Sequence, residues 1–236
     1  MKDRIIVAID TDSPGAALTT VKALSGEVGM IKVGMELFPR GGPELIRRIR
    51  EEGFDVFLDL KFHDIPNTVA GAVRSAAALG VKFATVHASG GRAMLTAAAE
   101  SVRGTGTTLL AVTVLTSLDD ADLADVGFSF GTAESVARLA GLAVSCGIEG
   151  IVCSAKEVAA VRARVGKGIT LVTPGVRMPE DAAGDQKRVV TPADAIRRGA
   201  DYIVVGRPIT KAADPAAAAR AIAASMRGAF TEGRRQ

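Results

Sequence analysis

The chain has 236 residues, of which 48% are hydrophobic and 23% charged, and a formal net charge of +3. That is apolar material for one large core, with too even a mixture of charge for a disordered or tail-like chain. Aromatic residues are only 4%, Trp is absent and part of the basic excess sits in Arg234 and Arg235, which excludes the basic, aromatic-studded stripe of a nucleic-acid binder.

Short β-branched runs alternate along the chain with longer Ala/Leu-rich segments of helical spacing, the pattern of repeated βα units around a parallel sheet. The predicted strands are Ile5–Ile9, Met30–Val33, Val56–Leu60, Phe83–His87, Leu109–Leu115, Gly150–Cys153, Thr170–Thr173 and Tyr202–Val205. Between and after them, helices are predicted over Ala16–Leu24, Pro43–Glu52, Val69–Leu79, Arg92–Val102, Glu134–Ser145, Ala155–Arg164, Ala193–Arg198 and Pro215–Arg227. Ser13-Pro14 is suited to open the first helix, and Gly53, Gly80, Gly147 and Gly199 follow predicted helix ends. Eight such units predict a closed (β/α)8 TIM barrel, and no linker or composition shift divides it, so a single domain over 1–236 is expected.

Cys146 and Cys153 are the only cysteines, too few for a disulfide framework or a zinc site. The opening Met1-Lys2-Asp3-Arg4 runs into a strand without the apolar stretch of a secretion signal, and no apolar run approaches the ~18 residues of a membrane span. A cytoplasmic location, with no membrane or nucleic-acid partner, is the expectation.

In such barrels the βα loops gather the chemistry at the C-terminal ends of the strands. Asp10 ends the first predicted strand, Lys32 lies in the second, Asp59 and Lys61 end the third, and His87 ends the fourth. Asp59 and Lys61 are two apart, so a strand's period of two points them to the same side. A lone D-x-K is more often a structural ion pair, but Lys32 and Asp10 arriving on neighbouring strands reverse that preference. Opposite charges nearby favour each other's ionised forms. A fixed carboxylate beside a substrate carboxylate, with an ammonium group at hand, suits expulsion of CO2 and protonation of the carbanion left behind.

After the eighth predicted strand, Gly206 lets backbone amides approach an anion, and Arg207 offers a guanidinium fork for phosphate oxygens. The polar stretch from Arg177 to Arg188 reads as a lid over that phosphate, the alternative being a plain solvated connection. His63 and His87 are each as readily structural as catalytic. Gly104-Thr105-Gly106 precedes a strand instead of following one, so it is not a dinucleotide fingerprint, and no Walker A loop is present.

The run Asp59-Leu60-Lys61-Phe62-His63-Asp64-Ile65-Pro66-Asn67-Thr68 resembles the central motif of the orotidine 5'-phosphate decarboxylase family. The resemblance continues through Ala8-Ile9-Asp10, Ile31-Lys32-Val33-Gly34, Leu115-Thr116-Ser117, Thr173-Pro174-Gly175-Val176-Arg177, Gly184-Asp185-Gln186-Lys187-Arg188 and Val205-Gly206-Arg207-Pro208-Ile209-Thr210, almost the whole barrel in order. It implies decarboxylation of orotidine 5'-phosphate to uridine 5'-phosphate with no cofactor and no metal. Lys61 then resembles the acid that protonates C6 of the pyrimidine, and Asp59 the carboxylate beside the departing group. Asp64 and Thr68 are implied to reach into a partner subunit's site, which makes the expected unit a homodimer. Asp10 and Lys32 are implied to meet the ribose hydroxyls, with Lys32 also joining the catalytic charge network. Thr116 and Ser117 would contact the base, Pro174 would belong to the substrate-binding set, Gln186 would bridge base and phosphate, and Arg177 with Gly206 and Arg207 would hold the phosphate.

Two other readings stand beside this one. A keto-sugar phosphate decarboxylase or hexulose phosphate synthase shares the fold and the D-x-K-x-x-D motif but resembles a magnesium-dependent class with an acidic ligand on the second strand, where this chain has Lys32, whose ammonium repels a metal. A non-catalytic nucleotide-binding barrel has no need of Asp59, Lys61 and Asp64 together, and all three are present.

Overall fold

The computed structural model of the chain describes residues 1–178 and 190–232. Its elements run β1 (Ile5–Ile9), α1 (Pro14–Ala23), β2 (Met30–Gly34), α2 (Phe38–Glu51), β3 (Asp55–Phe62), α3 (Pro66–Ala78), β4 (Phe83–His87), α4 (Gly91–Ser101), β5 (Thr108–Val112), α5 (Asp120–Asp125), α6 (Thr132–Ser145), β6 (Gly150–Val152), α7 (Val158–Val165), β7 (Thr170–Thr173), α8 (Pro192–Arg197), β8 (Tyr202–Val205), α9 (Arg207–Thr210) and α10 (Pro215–Glu232). Each strand pairs in parallel with the next and β8 returns to β1, closing an eight-stranded barrel. The predicted (β/α)8 TIM barrel is thus the observed fold.

Side-chain alternation divides the apolar residues into two cores. Ile6, Ala8, Met30, Phe57, Phe83, Leu110, Val172 and Val204 fill the barrel interior. There Phe83 meets Phe57 and Tyr202 edge-on, with ring centroids 6.0 and 5.3 Å apart. The intervening residues, such as Ile5, Val7, Val56, Leu58, Ala84 and Val86, face outward into the larger core under the helices. The barrel axis is therefore a packed plug, and a cavity opens above it.

Helix boundaries follow local chemistry. The Ser13 side chain accepts a hydrogen bond from the Ala16 amide at 3.2 Å and Pro14 occupies the first turn of α1. Thr191 caps α8 in the same way, accepting from the Asp194 amide at 3.1 Å. Several expected boundaries move. Pro66 starts α3 ahead of Val69, since a proline is tolerated where no intrahelical N–H is needed. Likewise α2 begins at Phe38, ahead of Pro43, because its first turn lies across a break at Gly42, whose φ is 56°. In contrast α7 begins at Val158, after the expected Ala155. On the sheet, β5 stops at Val112 short of Leu115, and the next residue turns its hydroxyl back onto the Val152 carbonyl, Thr113 Oγ1 donating at 2.9 Å. The short helices α5 and α9 were not expected, being below the length at which a 3.6-residue period can be read. The first carries its own capping box, between Asp119 and Asp122.

Candidate active site

Above the interior plug, at the C-terminal ends of the strands, lies a cavity of about 420 Å3. Its walls include Asp10, Lys32, Asp59, Lys61, Thr116, Pro174, Arg177, Gly206 and Arg207, nine positions that the sequence marks for the site. Phe57, Val112, Val114, Leu115, Val152 and Val204 supply an apolar surface. Five cationic side chains (Lys32, Lys61, Arg177, Arg207, Lys211) face two acidic ones (Asp10, Asp59), so the cavity suits an anionic ligand with an apolar part.

Asp59 is the centre of the charge network. One carboxylate oxygen, Oδ2, takes Lys61 Nζ at 2.9 Å and Lys32 Nζ at 3.4 Å. The other, Oδ1, accepts the Thr85 hydroxyl proton at 3.0 Å. Lys32 Nζ also lies 3.5 Å from Asp10 Oδ1, which extends the chain of alternating charges to β1. Gly34 makes room for that pair: a Cβ there would lie 3.1 Å from Lys32 Nζ and 3.5 Å from Asp10 Oδ1. Burial, the largest single influence on Asp59, pushes its carboxyl upward. Lys32, Lys61 and the hydrogen bonds from Lys61 and Thr85 together outweigh it and hold the carboxyl below its ordinary value.

The local backbone is irregular where the acid and the ammonium meet. Leu58 of β3 pairs with Ala84 of β4, but the next pairing is Phe62 with Val86, so β3 spends two residues more than its neighbour over this step. Lys61 has φ 51°, the only non-glycine residue with positive φ among those described. Simple period-two alternation is thus not the whole reason that Asp59 and Lys61 converge.

Some marked residues lie elsewhere. Asp64 and Thr68 do not line the main cavity; with Leu60, Phe62, His63, Val69 and Ala72 they line a second hollow of about 320 Å3, and Lys61 borders both hollows. Asp64 Oδ1 accepts a hydrogen bond from the Ile65 amide at 2.6 Å. Ser117 is exposed and does not line the cavity, and Gln186 lies outside the described residues, as does most of the segment from Arg177 to Arg188. A parallel bridge between Val176 and Val190 brings the chain on either side of that segment together. His63 and His87 stack loosely beside the network, with ring centroids 5.5 Å apart. Sequence reading missed Lys211 and Cys153 on the cavity wall and Thr85 beneath it. Lys211 is four residues beyond Arg207 at the end of α9, a spacing that an unrecognised helix concealed.

Comparison with known proteins decides the kinship. The family model described as orotidine 5'-phosphate decarboxylase / HUMPS family matches residues 3–222. The chain belongs to that family. Within the orotidine 5'-phosphate decarboxylase / HUMPS family, it is 54% identical over 228 residues to the orotidine 5'-phosphate decarboxylase of Halorhodospira halophila (strain DSM 244 / SL1), covering 96% of this chain and 97% of that one. It is 57% identical over 224 residues to that of Anaeromyxobacter sp. (strain K), covering 95% and 98%. The crystal structure of the Lactobacillus acidophilus enzyme superposes with a TM-score of 0.84 at 39% identity, covering 95% of this chain and 99% of that one. Among the described residues of this family member no group of three His, Cys, Asp or Glu is placed to hold a metal ion, and no helix is long and apolar enough to cross a membrane.

Proposed function

We propose that the chain decarboxylates orotidine 5'-phosphate to uridine 5'-phosphate and CO2, a step of pyrimidine biosynthesis, with Asp59 and Lys61 as the reacting pair. The observation that carries the reading is the Lys32–Asp59–Lys61 network on one wall of a cavity whose other cations include Arg177 and Arg207. A substrate with a carboxylate at one end and a phosphate at the other matches both charge groups. The substrate carboxylate is set against the ionised Asp59, a repulsion relieved when the bond from C6 to the carboxylate breaks. The electron pair of that bond stays on C6, and a proton from the Lys61 ammonium takes the place of CO2. Lys61 then regains its proton from water. Asp10 and Lys32 hold the ribose hydroxyls, Thr116 and Pro174 bound the base, and Arg177, Gly206 and Arg207 hold the phosphate. Ser117 adds a contact to the base, and the Gln186 expected to bridge base and phosphate lies outside the described residues.

The hexulose phosphate branch of the family is less well matched. The residue that pairs with Asp59 from β2 is Lys32, and an ammonium 3.4 Å from the carboxylate occupies and repels the place of a magnesium ion. Incubating the chelator-treated protein with orotidine 5'-phosphate is expected to give uridine 5'-phosphate at the untreated rate. Activity that disappears on chelation and returns with magnesium overturns this assignment.

The functional unit is a homodimer with shared sites, in the cytoplasm. Asp64 and Thr68 are turned away from their own subunit's cavity and flank Ile65, which is 68% exposed, with Met35 after β2 also 58% exposed. Apolar side chains of that size at the rim of a site are suited to cover by a second copy of the chain.

A further inference from the structure

The Thr85 hydroxyl serves both members of the reacting pair at once. It donates to Asp59 Oδ1 at 3.0 Å and accepts from the Lys61 backbone amide at 2.8 Å. A hydroxyl carries one proton and two acceptor lone pairs, so with its proton committed to the carboxylate it still has a lone pair for the amide. Thr85 is two residues along β4 from Phe83, on the inward-facing side, with no exposed surface, and it does not line the substrate cavity.

The need for such a group arises from the sheet. Across the two extra residues of β3 the ladder between β3 and β4 is interrupted, so the Lys61 amide has no regular strand acceptor. A buried amide without an acceptor is costly, and a lysine with φ 51° lies in a region that L-residues other than glycine seldom adopt. Such strain persists only where neighbouring groups over-determine the conformation. The Thr85 hydroxyl is that neighbour for Lys61. It also completes the fixation of Asp59, whose other oxygen is already held by Lys61 and Lys32. Branching at Cβ limits the rotamers of Thr85 and so fixes where the hydroxyl stands.

We propose that Thr85 is a positioning residue that sets the reacting geometry, locking the Asp59 carboxylate and the left-handed Lys61 backbone to one atom of β4. The inference rests on the decarboxylase reading above. Thr85→Val keeps the branched shape and removes both hydrogen bonds, while Thr85→Ser keeps the hydroxyl. In Thr85→Val kcat should fall by about 10- to 100-fold, the scale of an ångström-sized misplacement of reacting groups. Affinity for uridine 5'-phosphate should stay within about threefold, because Thr85 touches no substrate. Thr85→Ser should recover most of the lost rate. Should Thr85→Val not fold, as judged by thermal melting, Thr85→Ala takes its place in the same comparison. A folded hydroxyl-free variant with wild-type kcat, an equal loss of affinity and rate, or a serine variant no better than valine overturns the assignment. Absence of turnover in the wild type instead overturns the decarboxylase reading on which it stands.

Discussion

His87 stands beside Asp59 and Lys61 without lining the cavity, and its environment opposes a charge. Burial is the largest influence, followed by repulsion from His63 and Lys61, with Asp59 pulling the other way, and the net effect lowers its pKa below the ordinary 6.5. At pH values above 6.5 the ring is neutral in folded and unfolded chains alike. As the pH falls, the unfolded chain takes up this proton first, so folding stability declines from pH 6.5 down to the lowered folded pKa, below which the loss is complete and His87 adds no further pH dependence. One such group changes stability by at most about 1.4 kcal/mol per pH unit. Denaturant unfolding at pH 7.5 and 5.5 should therefore show a drop that His87→Gln diminishes; an equal drop in both proteins assigns the effect to other groups. At this scale the charged members of the site were legible because Asp and Lys at successive strand ends have few structural explanations. Thr85 was not, since a threonine in a strand reads as ordinary β-propensity and its worth depends on a register shift that only three dimensions reveal.

At the scale of elements, all eight predicted strands begin within one residue of the observed ones and β5 is the one whose end was most misplaced, because Thr113, Val114 and Leu115 prolong its run in the sequence while the paired residues end at Val112 and the Thr113 amide makes a last bond to the Val152 carbonyl. The glycines after helices were readable for a physical reason: Gly53, Gly80, Gly147 and Gly199 have φ of 87°, 69°, 86° and 104°, a conformation other residues avoid. The connection from β8 through Gly206 into α9 is the element on which the phosphate assignment depends. A Cβ at Gly206 would meet only ordinary contacts, 3.7 Å from Ala8, so the protein's own packing does not demand glycine there. Removing the guanidinium in Arg207→Ala should lower kcat/KM for orotidine 5'-phosphate by about 10- to 100-fold, equivalent to the roughly 1.5–3 kcal/mol of a hydrogen bond to a charged group. Orotidine, which lacks the phosphate, should be a much poorer substrate in kcat as well as KM, and added phosphite should raise its turnover in the wild type more than in Arg207→Ala. Equal kcat for the two substrates would limit the phosphate to anchoring.

At the scale of the whole molecule, eight βα units and their polar strand ends were readable as a barrel with one active end, because each strand's alternation had to serve both an interior plug and an outer core. A chain read as one subunit says less about Asp64. Its side chain belongs to the motif yet lines the smaller hollow, on the other side of Lys61 from the main cavity. The proposed shared-site dimer would resolve this by giving Asp64 and Thr68 to the neighbouring subunit's substrate. Lys61→Ala should be inactive because the carbanion has no positioned acid, and Asp64→Ala should be strongly impaired because its carboxylate is missing from the partner's site. In a heterodimer of the two, one site carries both defects and the other carries neither. Random exchange at equal concentrations makes half the dimers mixed, so about a quarter of all sites should be intact and activity should return to about a quarter of the wild-type value per subunit. Exchange is followed separately, with one variant carrying an affinity tag and the mixed dimer recovered on it. Mixed dimers that form and remain inactive would place Asp64 in the same site as the Lys61 of its own chain, and would require the barrel to bring the two hollows together when substrate binds.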